Sequence, residues 1–145
     1  MKNILIINGP NLNFLGIREK SVYGNQTYDD LLEMIAKKGE ESDTQIEVFQ
    51  SNHEGAIIDK IQEAYHNKTE ALLINAGAFT HYSYAIRDAL ASIMVPKVEV
   101  HISDITKREE FRKTSVIEEV CDKQIMGKGL AGYIEAIDFV LDFSK

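Results

Sequence analysis

Residues 4–10 read Ile4-Leu5-Ile6-Ile7-Asn8-Gly9-Pro10. Four consecutive aliphatic residues, lacking the apolar–polar alternation of a half-buried strand, mark a short strand covered on both faces, and Asn8, Gly9 and Pro10 end it. Such a strand belongs in the middle of a parallel sheet with helices above and below. The rest of the chain agrees. Ala71–Asn75 is a second apolar run, Gln45–Gln50 and Val98–His101 are β-branched segments, and Gln124–Met126 is a weaker fifth strand. Between them, apolar residues recur at three and four. Thr27 with Asp30 forms an N-cap pair ahead of Leu31, Leu32, Ile35 and Ala36, in a helix running to about Gly39. Ser51-Asn52 is expected to cap a helix carrying Ile57, Ile58, Ile61, Ala64 and Tyr65 on one side. Ile86, Ala89, Leu90 and Ile93 mark a third helix before Pro96. Leu130–Phe143 is the last, with Tyr133, Ile134, Ile137, Val140 and Leu141 spaced for burial. This alternation predicts an α/β three-layer sandwich of five parallel strands with about five helices on its two faces. No repeat, low-complexity tract or linker interrupts residues 1–145, so the chain reads as a single domain.

The 145 residues carry 23 acidic and 16 basic side chains, a formal charge of −7, with a pI of about 5.1. That balance argues against sequence-independent nucleic-acid binding, which needs a basic footprint. With 44% hydrophobic residues, a chain of this length can bury a core without a disulfide or metal staple. Its one cysteine forms no internal disulfide, and no charged-then-apolar leader opens the sequence. A reducing, cytoplasmic address is therefore expected. The longest apolar runs fall far short of the roughly 20 residues that cross a bilayer, so no membrane association is expected.

In open parallel sheets, ligands bind beyond the carboxyl ends of the strands, where strand order reverses. If the order is 2-1-3-4-5, three polar clusters become neighbours there: Asn8 to Asn13 after the first strand, Asn75 to His81 after the third, and His101 to Asp104 after the fourth. Taken singly, each has an ordinary structural explanation. Asn and Gly form turns, a lone histidine is usually a satisfied polar residue, and Arg108 and Arg112, four apart, also read as a solvated helical face paired with Glu109 and Glu110. Convergence at one sheet edge favours a site. Cys121 reads as a packing residue, His53 as a cap-region residue and His66 as a surface one. The sequence lacks G-x-x-x-x-G-K-[ST], G-x-G-x-x-G and G-x-S-x-G, and asparagines stand where a phosphoacceptor receiver would carry acids. No His/Cys/carboxylate set has metal-ligand spacing. What remains is a set of amides, hydroxyls, histidines, arginines and tyrosines suited to a polyhydroxylated anion and to proton transfer without a cofactor.

Gly9-Pro-Asn-Leu-Asn-Phe-Leu-Gly16, followed by Arg18-Glu19 and Tyr23-Gly24, resembles the opening signature of the type II 3-dehydroquinate dehydratases. Further matches follow in the family's order: Ile74-Asn-Ala-Gly-Ala-Phe-Thr-His81, Val98-Glu-Val-His-Ile-Ser103, Arg108-Glu-Glu-Phe-Arg112 with Ser115, and Gly127-Lys-Gly-Leu-Ala-Gly-Tyr133. The resemblance implies a flavodoxin-like subunit that dehydrates 3-dehydroquinate to 3-dehydroshikimate by anti elimination through an enolate, a step of aromatic amino-acid biosynthesis or of quinate breakdown. It implies no metal, nucleotide or Schiff base. It makes Tyr23 the base, His101 the acid, Arg18 the group that favours the phenolate, Asn11 a holder of the water that stabilises the enolate, and Glu99 the residue that orients His101. It assigns Asn75, His81, Arg112 and the backbone of Ile102 and Ser103 to the substrate. Arg108 would assist loop closure, and Asp88 would reach in from a neighbouring subunit of a homododecamer built from four trimers. The competing expectation is a catalytically silent ligand- or partner-binding module on the same fold.

Elementary chemistry fits these roles. Phenols ionise near pH 10, so a tyrosine base needs a close positive charge, and a carboxylate partner keeps an imidazole charged near neutrality. A helix N-terminus after the fourth strand is expected to offer amides to the substrate carboxylate. Leu12 to Gln26, long for a βα connection, reads as a lid. Four departures from the family pattern stand out. Lys20 replaces a usual Pro, predicting a less rigid lid. Asp104 replaces a frequent Asn and is expected to add negative charge beside the carboxylate pocket, while Thr106 and Lys113 stand where histidine is common.

Overall fold

The aliphatic run at residues 4–7 lies inside β1 (Lys2–Asn8), which pairs in parallel with β2 (Thr44–Gln50) on one side and β3 (Ala71–Asn75) on the other. β4 (Lys97–Val100) and β5 (Lys123–Ile125) extend the sheet, giving the order β2-β1-β3-β4-β5. The computed structural model describes residues 2–143. Its helices are the single turn α1 (Lys20–Tyr23), then α2 (Tyr28–Glu41), α3 (Glu54–His66), α4 (Tyr84–Ala91) and α5 (Ala131–Phe143).

Because side chains alternate across a strand, the run divides between two cores. Ile4 and Ile6 pack with Leu31 and Ile35 of α2 and with Tyr133, Ile137 and Val140 of α5. Leu5 and Ile7 pack with Ile57 and Ile61 of α3 and Ile86 and Leu90 of α4. Both faces of β1 are thus covered, which is why its sequence shows no alternation. The strand order reverses next to β1, and the ends of β1, β3 and β4 meet at one edge as expected.

Local chemistry explains most element boundaries and a few differences. α2 begins where the cap pair predicts: Thr27 Oγ1 accepts from Asp30 N (3.1 Å) and Asp30 Oδ2 accepts from Thr27 N (2.9 Å). α3 does not use Ser51-Asn52 as its cap. His53 is the N-cap residue, because Ser51 Oγ turns to His53 N (3.0 Å) and Asn52 Oδ1 reaches across to Asn11 N (3.0 Å). Tyr65, placed on the apolar face by its spacing, is 73% exposed, and Ala36 of α2 is also exposed. α4 ends at Ala91, two residues before the buried Ile93. β4 starts one residue earlier than expected because Lys97 is tolerated inside, its Nζ donating to Ile93 O (2.6 Å). His101 falls just beyond the strand.

Gly9 brings two of the converging loops together. Its N–H donates to Asn75 O (2.7 Å), and a Cβ there would lie 2.5 Å from Ala76 O and 2.6 Å from its carbonyl carbon. Backbone cannot yield as a flexible side chain can. Gly9→Ala is expected to lower stability by about 1–3 kcal/mol, the usual cost of overpacking. A melting temperature equal to that of the wild type in a thermal scan would contradict this.

Candidate active site

A pocket opens at the carboxyl edge of β1, β3 and β4. Asn11, Arg18, Tyr23, Asn75, His81, His101, Ile102, Ser103, Arg108 and Arg112 all line it. Its empty volume, open mouth included, is about 600 Å³. Of the twelve residues singled out from the sequence, only Glu99 and Asp88 are absent from the wall. Glu99 lies behind it, fully buried, and Asp88 sits exposed on α4.

Between β1 and α2 the chain is less featureless than its sequence. A 3-10 turn spans Leu12–Phe14, and α1 supplies one helical turn after Glu19, whose backbone is left-handed at φ 34°. Lys20 is the first residue of α1, where proline is also accepted, so the replacement leaves the turn formed. That turn folds Tyr23 back onto Arg18. Arg18 Nη2 donates to Tyr23 Oη at 3.2 Å, and its guanidinium lies 4.5 Å from the ring centre. Arg108, which the sequence did not pair with Tyr23, makes the shorter contact, Nη1 to Oη at 2.6 Å. Glu19 Oε2 lies 3.2 Å from Arg18 Nη2 and 3.5 Å from Arg108 Nη2. Two cations therefore converge on one phenolic oxygen.

Across the pocket, His101 Nε2 and Glu99 Oε2 lie 2.5 Å apart, and both residues are buried. His81 Nδ1 donates to Thr114 O (2.8 Å). Burial holds the His81 imidazole below its ordinary pKa, an effect that the Thr114 carbonyl partly offsets and that nearby His101 and Arg112 reinforce. Asn75 has a structural task as well as its place in the wall. Its Nδ2 donates to Tyr133 Oη (3.0 Å), and its Oδ1 accepts from Gly77 N (3.2 Å). Tyr133 Oη in turn donates to Asn8 Oδ1 (2.6 Å), so one buried phenol ties the ends of β1 and β3 together. Burial raises its pKa further, which keeps it neutral. Asn11, left-handed at φ 69°, is held by Asn52, while Gln50 Nε2 reaches Gly9 O (3.1 Å) and Asn13 Oδ1 (3.3 Å). From the sequence, Tyr133 was assigned a packing role and Gln50 and Asn52 none at the site. Their position beside the strand ends was the available signal.

Several expectations need correction. No regular helix follows β4. A three-residue 3-10 turn, Ile105–Lys107, stands there, so the amides available to an anion are those of Ile102 and Ser103, which make no hydrogen bond among the described residues. Arg108 and Arg112 share no helical face. Arg108 is extended at the end of that turn, and Arg112 belongs to the next one, Glu110–Lys113, with Nε on Glu109 Oε2 at 2.9 Å. Asp104 does not face the pocket. Its Oδ1 accepts from Thr106 Oγ1 (2.5 Å) and Thr106 N (3.0 Å), and the Thr106 hydroxyl is the main reason its carboxyl titrates below the usual range. Two departures from the family pattern thus satisfy each other. Cys121 behaves as a packing residue, its thiol pushed up to about 12 by burial and by the charge of Glu99.

Comparison with known proteins gives a consistent result. A family model described as Dehydroquinase class II matches residues 2–141. The 3-dehydroquinate dehydratase of Lachnospira eligens is 62% identical over 142 residues, covering 97% of each chain. A type II dehydroquinase from Butyrivibrio crossotus superposes with a TM-score of 0.96 at 60% identity, covering 97% of this chain and 98% of its own. One from Propionibacterium acnes gives 0.93 at 41% identity, covering 98% of both. Because the match runs through all five strands and every loop of the pocket, the chain belongs to the dehydroquinase class II family.

Proposed function

We propose that this protein dehydrates 3-dehydroquinate to 3-dehydroshikimate by anti elimination through an enolate, with no cofactor. The observation that carries this reading is the convergence of Arg18 and Arg108 on Tyr23 Oη in a pocket also lined by His101, which the buried Glu99 backs from behind the wall. The Tyr23 phenolate removes the proton from C2, and the C–H electrons pass into the enolate. The enolate then expels the C1 hydroxyl, which takes a proton from His101 and leaves as water. Tyr23 returns its proton to solvent, and His101 is protonated again. Asn11 supports the enolate through water. Asn75, His81, Arg112 and the Ile102 and Ser103 amides bind hydroxyls and carboxylate, and Arg108 holds the Tyr23 loop over them.

The test is the rise in absorbance of the conjugated product when purified protein meets 3-dehydroquinate. Turnover unaffected by a chelator or by borohydride is expected, since no Schiff base is formed. Binding without turnover would instead identify a silent module. The reading extends to a cytoplasmic enzyme whose 145 residues act as one catalytic unit. Asp88, exposed on α4, completes a neighbour's site in a dodecamer of four trimers, and sedimentation tests that assembly. The orientation of Asp104 adds a prediction. Because its carboxylate faces Thr106, Asp104→Asn changes KM by less than about threefold, as expected of a solvated charge turned from the ligand. A larger fall in KM would mean that this charge does reach the substrate.

A further inference from the structure

Glu99 is held in an unusual way for a buried carboxylate. Three donors converge on Oε2: His101 Nε2 (2.5 Å), Ser115 Oγ (2.8 Å) and Gln124 Nε2 (3.2 Å). Oε1 is buried without a partner. Ser115 comes from the connection after the Glu110–Lys113 turn, and Gln124 from β5, where it is in register with Glu99. Ser115 is itself oriented, because its oxygen accepts from Ile117 N (3.3 Å), leaving its hydrogen for Glu99.

We propose that Ser115 and Gln124 are positioning residues that temper the negative charge of Glu99 and so set how readily His101 releases its proton. This rests on the acid role given to His101 above. A bare buried carboxylate 2.5 Å from an imidazolium holds the proton tightly, and an acid held so tightly is a poor donor to a leaving hydroxyl. Neutral donors on the same oxygen stabilise the anion that remains after the proton has gone, and they lower the proton affinity of the pair as a whole. Other charged and titratable groups surround the pair without taking this part. Lys97, on the same face of β4, is committed to Ile93 O, and Cys121 stays a thiol. His81 and Arg112 face it from the loops, while Arg18 and Arg108 are turned to Tyr23.

The test compares Ser115→Ala, Ser115→Thr and Gln124→Leu by the pH dependence of kcat and by NMR titration of the His101 ring, assigned with His101→Ala. Loss of one neutral donor to a charged acceptor is expected to move the His101 midpoint and the alkaline limb of kcat upward by about one pH unit. Plateau kcat falls several-fold and KM stays within about twofold, while Ser115→Thr restores the wild-type midpoint. A role confined to holding Glu99 in place predicts the opposite, because a detached carboxylate lets the midpoint fall. An unmoved or lowered midpoint in folded Ser115→Ala and Gln124→Leu overturns the proposal. Should Ser115→Ala fail to fold, Gln124→Leu decides. Absence of turnover in the wild type would refute the functional reading, and the NMR midpoints would still decide this one.

Discussion

Tyr23→Phe is expected to lower kcat by at least about 10³-fold, the upper part of the range for loss of a positioned acid or base, with little change in KM or melting temperature. The substitution removes one oxygen and keeps the ring, which packs partly buried against the core beside α2 and α5. Both guanidinium groups can remain over the ring, and Glu19 still faces Arg18 and Arg108. What is lost is the one atom on which both cations converge. That charge arrangement is built before substrate arrives, the property that makes electrostatic stabilisation effective. A loss of 10³-fold corresponds to about 4 kcal/mol of barrier. A Tyr23→Phe protein with ordinary turnover would remove this residue from the mechanism. Arg108→Ala separates the two cations: it leaves Arg18 in place, so a partial loss is expected, smaller than that of Tyr23→Phe.

His101→Ala is the second large effect, about 10²–10⁴-fold in kcat. Here stability also changes. His101 is buried, and its removal takes one of three donors from a carboxylate that water does not reach. An unbalanced buried charge is costly, so a lower melting temperature accompanies the loss of activity. His101→Gln, which keeps a donor within reach of Glu99, separates the two consequences: it recovers melting temperature while turnover stays low. Recovery of turnover together with stability would show that His101 serves only the fold.

The fold was largely legible because its causes are local. Strand and helix periods, the Thr27–Asp30 cap and the breaks at Gly9 and Pro96 each act within a few residues, and two-sided burial is written directly into Ile4–Ile7. The boundaries that moved did so where a side chain found its partner outside its own element. Asn52 left the α3 cap for Asn11, and Lys97 extended β4 because a carbonyl was waiting at Ile93. The residue type shows that Asp104 carries a charge, and only the geometry shows that its carboxylate is hydrogen-bonded by Thr106.

By itself, the sequence determined which residue types stand at the ends of the central strands, and with them the composition of the pocket. The tertiary structure decided their pairing: Arg108 with Tyr23 across 85 residues, Tyr133 with Asn8 across 125, and Ser115 and Gln124 with Glu99. Periodicity and capping depend on neighbours along the chain. A hydrogen bond depends on the position and direction of two atoms in space, and for residues so far apart these are defined only when both sheet faces are packed.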